Sequence, residues 1–216
     1  MKSLFAVAVA LSLCGCAPSA VPPPAPSVPP SVPPSAGESS PAGPSSQAPS
    51  DFTVTFGFAV PNGVVRVSHP VPVPPLRTLV GVYVGNHPSE SPAYQRMSFY
   101  FQGGYPSYQV SYVPSVTRDG SGAPVSLPGN AFLQVVFTDA QAHTSSGASS
   151  VTASPPASIG YQNLKGYAQA GDFEGHVTYG LGLQTRPNAD QVLLLRLGEL
   201  TRPDGLYVVF VDIQTA

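Results

Sequence analysis

From Asp51 onward the chain repeats with a period of two, and no other feature restricts its fold so strongly. Phe52, Val54, Phe56 and Phe58 alternate with Thr53, Thr55 and Gly57, and Met97, Phe99 and Phe101 alternate with Arg96, Ser98 and Tyr100. In a strand successive side chains point to opposite faces, so each run predicts a strand with one apolar face. Further strands are expected at 64–67, 78–84, 108–113, 132–138, 175–183, 191–197 and 206–212. Val192–Leu195 and Tyr207–Val211 are continuous apolar runs, which read as strands covered on both faces. Gly103-Gly104, Asp119-Gly120-Ser121-Gly122, Pro128-Gly129 and Asp204-Gly205 punctuate the intervals. No window of helical length shows a 3.6-residue period with caps. The expected fold is therefore all-β, an antiparallel β-sandwich or small barrel.

Two segments fit this pattern less simply. Pro61-Asn62-Gly63 is a hairpin-type turn, and Val71 to Pro75 is rich in proline, so 51–77 is expected as an extra β-hairpin or edge segment. Residues 140–158, rich in Ser and Ala, are expected as a long mobile loop.

The first 50 residues have a different texture. Met1-Lys2 supplies a positive start, and Leu4 to Leu13 is an apolar run too short to span a bilayer, which needs about 20 residues. Leu13-Cys14-Gly15-Cys16 follows. A Leu three before a Cys and a small residue directly before it form the lipobox pattern, so 1–15 read as a lipoprotein signal peptide and Cys16 as the lipidated residue. Cys14 fits poorly because the bulky Leu13 precedes it. Two or three acyl chains anchor a protein lastingly without a transmembrane helix. Residues 17–50 hold 12 Pro, 9 Ser and 6 Ala with one charge, Glu38. Such a stretch has little to bury, so 16–50 are expected as a disordered linker with polyproline-II character. At about 3.1 Å per residue its full reach is ~105 Å. The expected location is extracytoplasmic, lipid-anchored to the cell membrane, or to the outer membrane in a cell that has one.

Charge excludes one class of partner. Only 9% of residues are charged and the net charge is −2, so no basic surface meets nucleic acid phosphates. Both cysteines lie in the first 16 residues, which rules out disulfides and Cys-ligated metals beyond them. There is no Gly-x-Ser-x-Gly, no phosphate-cradling glycine loop and no His-x-x-x-His. No catalytic residue, metal site or cofactor is assigned.

Two clusters remain as candidates. Asp172, Glu174 and His176 would share one face of a strand, where two carboxylates and an imidazole could hold a cation or share a proton. The plainer reading is a turn leading into a strand with solvated polar residues, the ordinary outcome for an isolated cluster. Tyr105, Tyr108 and Tyr112 form the second. Tyrosine rings stack on sugars while their hydroxyls hydrogen-bond, yet alternation places Tyr108 and Tyr112 on the face of Val110, which is also a core pattern. Asp212 ends the last apolar run and is either a buried, hydrogen-bonded carboxylate or, the preferred reading, the first exposed residue past the strand.

Five stretches together resemble a known family. They are Gln-Arg-Met-Ser-Phe-Tyr-Phe at 95–101, Gly-Ser-Gly-Ala-Pro-Val at 120–125, Ala-Gly-Asp-Phe-Glu-Gly at 170–175, Gly-Leu-Gly-Leu at 180–183, and Leu-Tyr-Val-Val-Phe-Val-Asp at 206–212. In this order they resemble the AMIN-like domain of bacterial lipoproteins, over about 78–216. The resemblance implies a non-catalytic β-sandwich module. AMIN domains accompany N-acetylmuramoyl-L-alanine amidases and type IV pilus secretins, where they are associated with envelope targeting and peptidoglycan binding. The function this implies is binding of peptidoglycan or another envelope glycan. The alternatives are an adaptor for an envelope protein and, last, a hydrolase built on Asp172, Glu174 and His176.

Overall fold

The structure, a computed structural model, describes residues 51–72, 75–186 and 192–215. The expected signal peptide, Cys16 and linker lie outside the described residues. Among the described residues eleven strands follow one another: β1 (Asp51–Ala59), β2 (Val65–Val67), β3 (Arg77–His87), β4 (Tyr94–Gln102), β5 (Ser107–Val113), β6 (Ala131–Thr138), β7 (Ala140–Gln141), β8 (Leu164–Phe173), β9 (His176–Leu183), β10 (Leu195–Thr201) and β11 (Tyr207–Gln214). They form a six-stranded sheet, β1-β10-β11-β4-β3-β7, and a five-stranded sheet, β2-β5-β6-β9-β8. Every pairing is antiparallel except the short one between β3 and β7. The all-β sandwich expected from the alternation is what the chain forms.

Period-two patterning places the core. Met97, Phe99 and Phe101 of β4 and Val209 and Val211 of β11 are fully buried, as are Leu133, Val135 and Phe137 of β6 and Leu181 of β9. Phe137 sits edge-on to Phe99 and Phe101, each at 4.9 Å between ring centroids. Such aromatic pairs contribute about 0.5–1.5 kcal/mol beyond their burial. Val208 and Phe210 are buried on the opposite side of β11, so the Tyr207–Val211 run is covered on both faces as expected.

The segment before β3 departs from a hairpin. β1 joins the six-stranded sheet beside β10, while β2 joins the five-stranded sheet beside β5. The Pro61–Gly63 turn therefore carries the chain between sheets. The expected single apolar face of β1 is also broken. Register shifts at Val54/Phe56 and Phe56/Ala59 turn Phe56 toward the core, whereas Phe52 and Val54 stay 45% exposed. A bulge inserts an extra residue and swaps the faces after it.

The 140–158 segment is not the free loop its Ser/Ala content suggests. It lies along the outer edge of β3, where Thr152 N–H donates to the Val80 carbonyl (3.0 Å) and Val82 N–H to the Ala153 carbonyl (2.9 Å). The buried Ser150 hydroxyl donates to the Leu79 carbonyl (2.7 Å). Edge groups of a sheet need partners, and small side chains let this segment approach closely enough to supply them.

Candidate functional site

The three tyrosines singled out from the sequence are packing residues. Tyr108 is 2% exposed, with its hydroxyl 2.9 Å from Thr55 Oγ1 of β1. The Tyr112 hydroxyl donates to the Leu193 carbonyl (3.0 Å) and accepts from Leu193 N–H (2.8 Å). Tyr105 meets Thr201 Oγ1 at 2.9 Å and lies between the His69 and Tyr207 rings. Burial pushes the Tyr112 hydroxyl up to about 12 and raises the other two. Tyr108 is enclosed in the core, whereas Tyr105 and Tyr112 are half-buried with their hydroxyls engaged by Thr201 and Leu193. The face shared with Val110 is core.

Asp172, Glu174 and His176 do not share a strand face. They straddle the β8–β9 hairpin, where Phe173 pairs with His176 and Glu174-Gly175 form the turn. Both turn residues have positive φ, 49° and 75°, as a type I′ turn requires. Asp172 faces the 140s segment. Its Oδ1 accepts from Ala142 N–H (3.0 Å) and its Oδ2 lies 2.8 Å from His143 Nδ1. His176 Nδ1 donates to the Glu174 carbonyl (3.0 Å). Among the described residues, no group of three or more His, Cys, Asp or Glu is placed to hold a metal ion.

Asp212, expected as exposed, is completely buried. It lies on the outer side of β11, between Arg196 of β10 and Arg96 of β4 in register. Arg96 donates from Nε to Oδ1 (2.6 Å) and from Nη2 to Oδ2 (2.9 Å). Arg196 reaches Oδ2 from Nε (2.7 Å) and Nη2 (2.6 Å). Aromatic rings take the place of water around them. The Arg96 guanidinium lies 3.8 Å from the Phe210 ring centroid, and that of Arg196 lies 4.5 Å from Phe58 and 4.6 Å from Tyr94. Desolvated cation–π contacts of this kind are worth about 2 kcal/mol. A carboxylate at this depth persists because two forked donors meet it.

The same face carries rings laid flat on the sheet. A methyl group on Gly81 would lie 2.8 Å from Tyr83 Cε2, and one on Gly85 would lie 2.8 Å from His87 Nε2. Gly198 gives way to Phe210 in the same manner. Glycine at these sites lets each ring lie over its neighbour's backbone. Tyr83 is 43% exposed and sits 4.4 Å from the half-buried Tyr100. Burial first, and the Arg96 charge second, lower the His87 pKa, so this ring is neutral at neutral pH.

The outer face of the six-stranded sheet is thus an aromatic surface with an Arg–Asp–Arg row set into it. Sequence reading passed over Arg196 and Tyr83. A usable signal was present: in a chain with so few charges, Arg96 and Arg196 occupy outward positions of strands whose inward positions are apolar.

The fold and this face define a two-sheet β-sandwich whose chemistry lies on a sheet surface. Residues 77–214 match the AMIN-like domain family, and the chain belongs to that family. Membership implies an extracytoplasmic, envelope-associated domain of a kind that is generally a binding module. Searches of curated proteins and of solved structures return no match.

Proposed function

We propose that this chain is a non-catalytic, lipid-anchored envelope protein that binds peptidoglycan through the outer face of its six-stranded sheet. The domain order behind this reading is a signal peptide at 1–15, lipid on Cys16, a Pro-rich tether to residue 50, an added segment at 51–77, and the AMIN-like domain after it. The observation that carries the binding role is the 43% exposed Tyr83, its ring against Gly81 and 4.4 Å from the half-buried Tyr100. An exposed tyrosine ring suits the apolar face of a sugar ring. Family membership supports the envelope location.

The test is co-sedimentation of the full chain, in detergent, with insoluble peptidoglycan, with and without soluble muropeptides. Tyr83→Ala with Tyr100→Ala should weaken pelleting roughly 5-fold or more, from about 0.5–1.5 kcal/mol per ring. Tyr105→Phe, which keeps its packed ring, should pellet as the parent does. No pelleting above an inert protein refutes the reading.

A second reading has one observation in its favour. Among the described residues β1 pairs with β10 on one side only, leaving a nine-residue edge where a partner strand could add. Enrichment of one envelope protein, lost on Thr53→Pro and without glycan pelleting, would favour this adaptor role.

A further inference from the structure

Arg96 and Arg196 share one carboxylate. Two guanidiniums against Asp212 leave one positive charge uncompensated on this row, set among Phe52, Phe58, Tyr94 and Phe210. The Arg202–Asp204 pair beside Tyr100 is balanced within itself. Arg96 and Arg196 keep 16% and 21% of their side-chain surface open, while Asp212 has none. Among the described residues, neither arginine contributes a buried nitrogen without a partner. A ligand therefore meets N–H donors and positive charge at this row, with the carboxylate hidden beneath.

The tyrosine pair lies close by. Tyr83 pairs with Ser98, and Gly85 pairs with Arg96 two residues along the same strands, about 7 Å away. A flat apolar ligand surface and a negative group can thus be met together within the span of a few sugar or peptide units.

The geometry points to selection of an anionic glycan: the sugar ring seats on Tyr83 and Tyr100, and a free carboxylate on it or on its attached peptide pairs with Arg196 and Arg96. This deepens the peptidoglycan reading and rests on it. The row acts as a charge reader beside the stacking surface. An acetylated sugar polymer without acidic groups satisfies the first part of the site and leaves the second unpaired. The partly buried setting strengthens the pairing, since low local dielectric and limited screening favour it over an exposed contact.

The experiment compares pelleting of the full chain with three matrices: native peptidoglycan, the same material with its stem-peptide carboxylates converted to amides, and chitin. The expected result is tight binding to native material and binding roughly tenfold weaker or more to the amidated material and to chitin, the size of one charge-assisted hydrogen bond. Raising ionic strength should weaken binding to native material alone. Arg196→Gln should bind native and amidated material equally, while Tyr83→Ala with Tyr100→Ala should weaken binding to all three. Should Arg196→Gln fail to fold, the salt and amidation comparisons on the parent chain decide the matter. Equal binding to native and amidated matrices overturns the charge selection and leaves the glycan reading standing. Pelleting with none of the three overturns both, and capture by anionic lipid vesicles with no preference among the matrices assigns the row to a membrane surface instead.

Discussion

Replacing Asp212 by Asn tests the outer-face cluster as a structural unit. The substitution keeps the shape and removes the charge that holds two guanidiniums. Asp212 is fully buried and accepts three hydrogen bonds from the two arginines, with a further ion-pair contact from Arg196 Nη2. Asn offers one oxygen, and its amide hydrogens face the donors of Arg96 or Arg196. Removing one partner of a buried ion pair costs about 3–5 kcal/mol because the remaining charge has no counterion. Both arginines retain some access to water, which places the cost near the lower end, about 3 kcal/mol. At about 2–4 °C per kcal/mol for a domain of this size, Tm falls by roughly 6–12 °C. The exposed Arg202–Asp204 pair is the internal control, and Asp204→Asn should leave the melt unmoved. Replacing all three outer-face residues with apolar ones, Arg96→Met, Asp212→Leu and Arg196→Met, should recover most of the loss while abolishing charge selection. Thermal melts followed by circular dichroism, with urea titration as a second measure, decide it. A Tm within about 2 °C of the parent for Asp212→Asn refutes the claim that the carboxylate is desolvated and holds both arginines.

Two further predictions concern other parts of the sandwich. Glu174 occupies a left-handed turn position that Asn or Gly fills with less strain, so Glu174→Asn should stabilise the domain by about 0.5–1 kcal/mol in urea unfolding; a loss of stability would mean that the Glu174 side chain makes a contact of its own. The Tyr112 hydroxyl titrates at about 12 in the folded domain against 10.0 ordinarily. Below pH ~10 both states keep the proton, and between ~10 and ~12 the unfolded chain binds fewer, so stability falls as pH rises through that window, by about 1.4 kcal/mol per unit from this group. Tyr112→Phe should flatten that slope while lowering stability at neutral pH through the lost clasp on Leu193, and an unchanged slope would refute the assignment.

The fold was legible wherever alternation ran unbroken. β4, β5, β6, β9 and β11 begin and end within about two residues of their sequence expectations. β8 escaped notice because register shifts at Leu164/Gly166 and Gln169/Gly171 interrupt its period, and its Ala and Gly residues favour strands weakly. β10 starts four residues later than expected, at Leu195, because Leu193 is held by Tyr112 instead of by a neighbouring strand. The candidate site was less legible. Alternation cannot say which of two partly apolar faces turns to solvent, and Tyr108 and Tyr83 look alike in a row of letters. The burial of Asp212 depends on Arg96 and Arg196, which are 116 and 16 residues away in sequence, so no local pattern could reveal it.

β1 is an edge strand, and it is also where the chain upstream of residue 51 enters the sandwich. If that upstream chain is held at a surface while the outer face holds a fixed polymer, tension crosses the molecule along a short path: β1 to β10, β10 to β11, β11 to β4. The five-stranded sheet lies off this route. A pull along the strand axis shears the β1–β10 bonds together, whereas a pull across it opens them one pair at a time from Asp51↔Thr201. The two bulges divide that seam into short stretches, so the crosswise pull would release β1 stepwise and take Phe52 off Phe210 before the core is disturbed. The edge strand would then act as a mechanical fuse between the anchor and the grip.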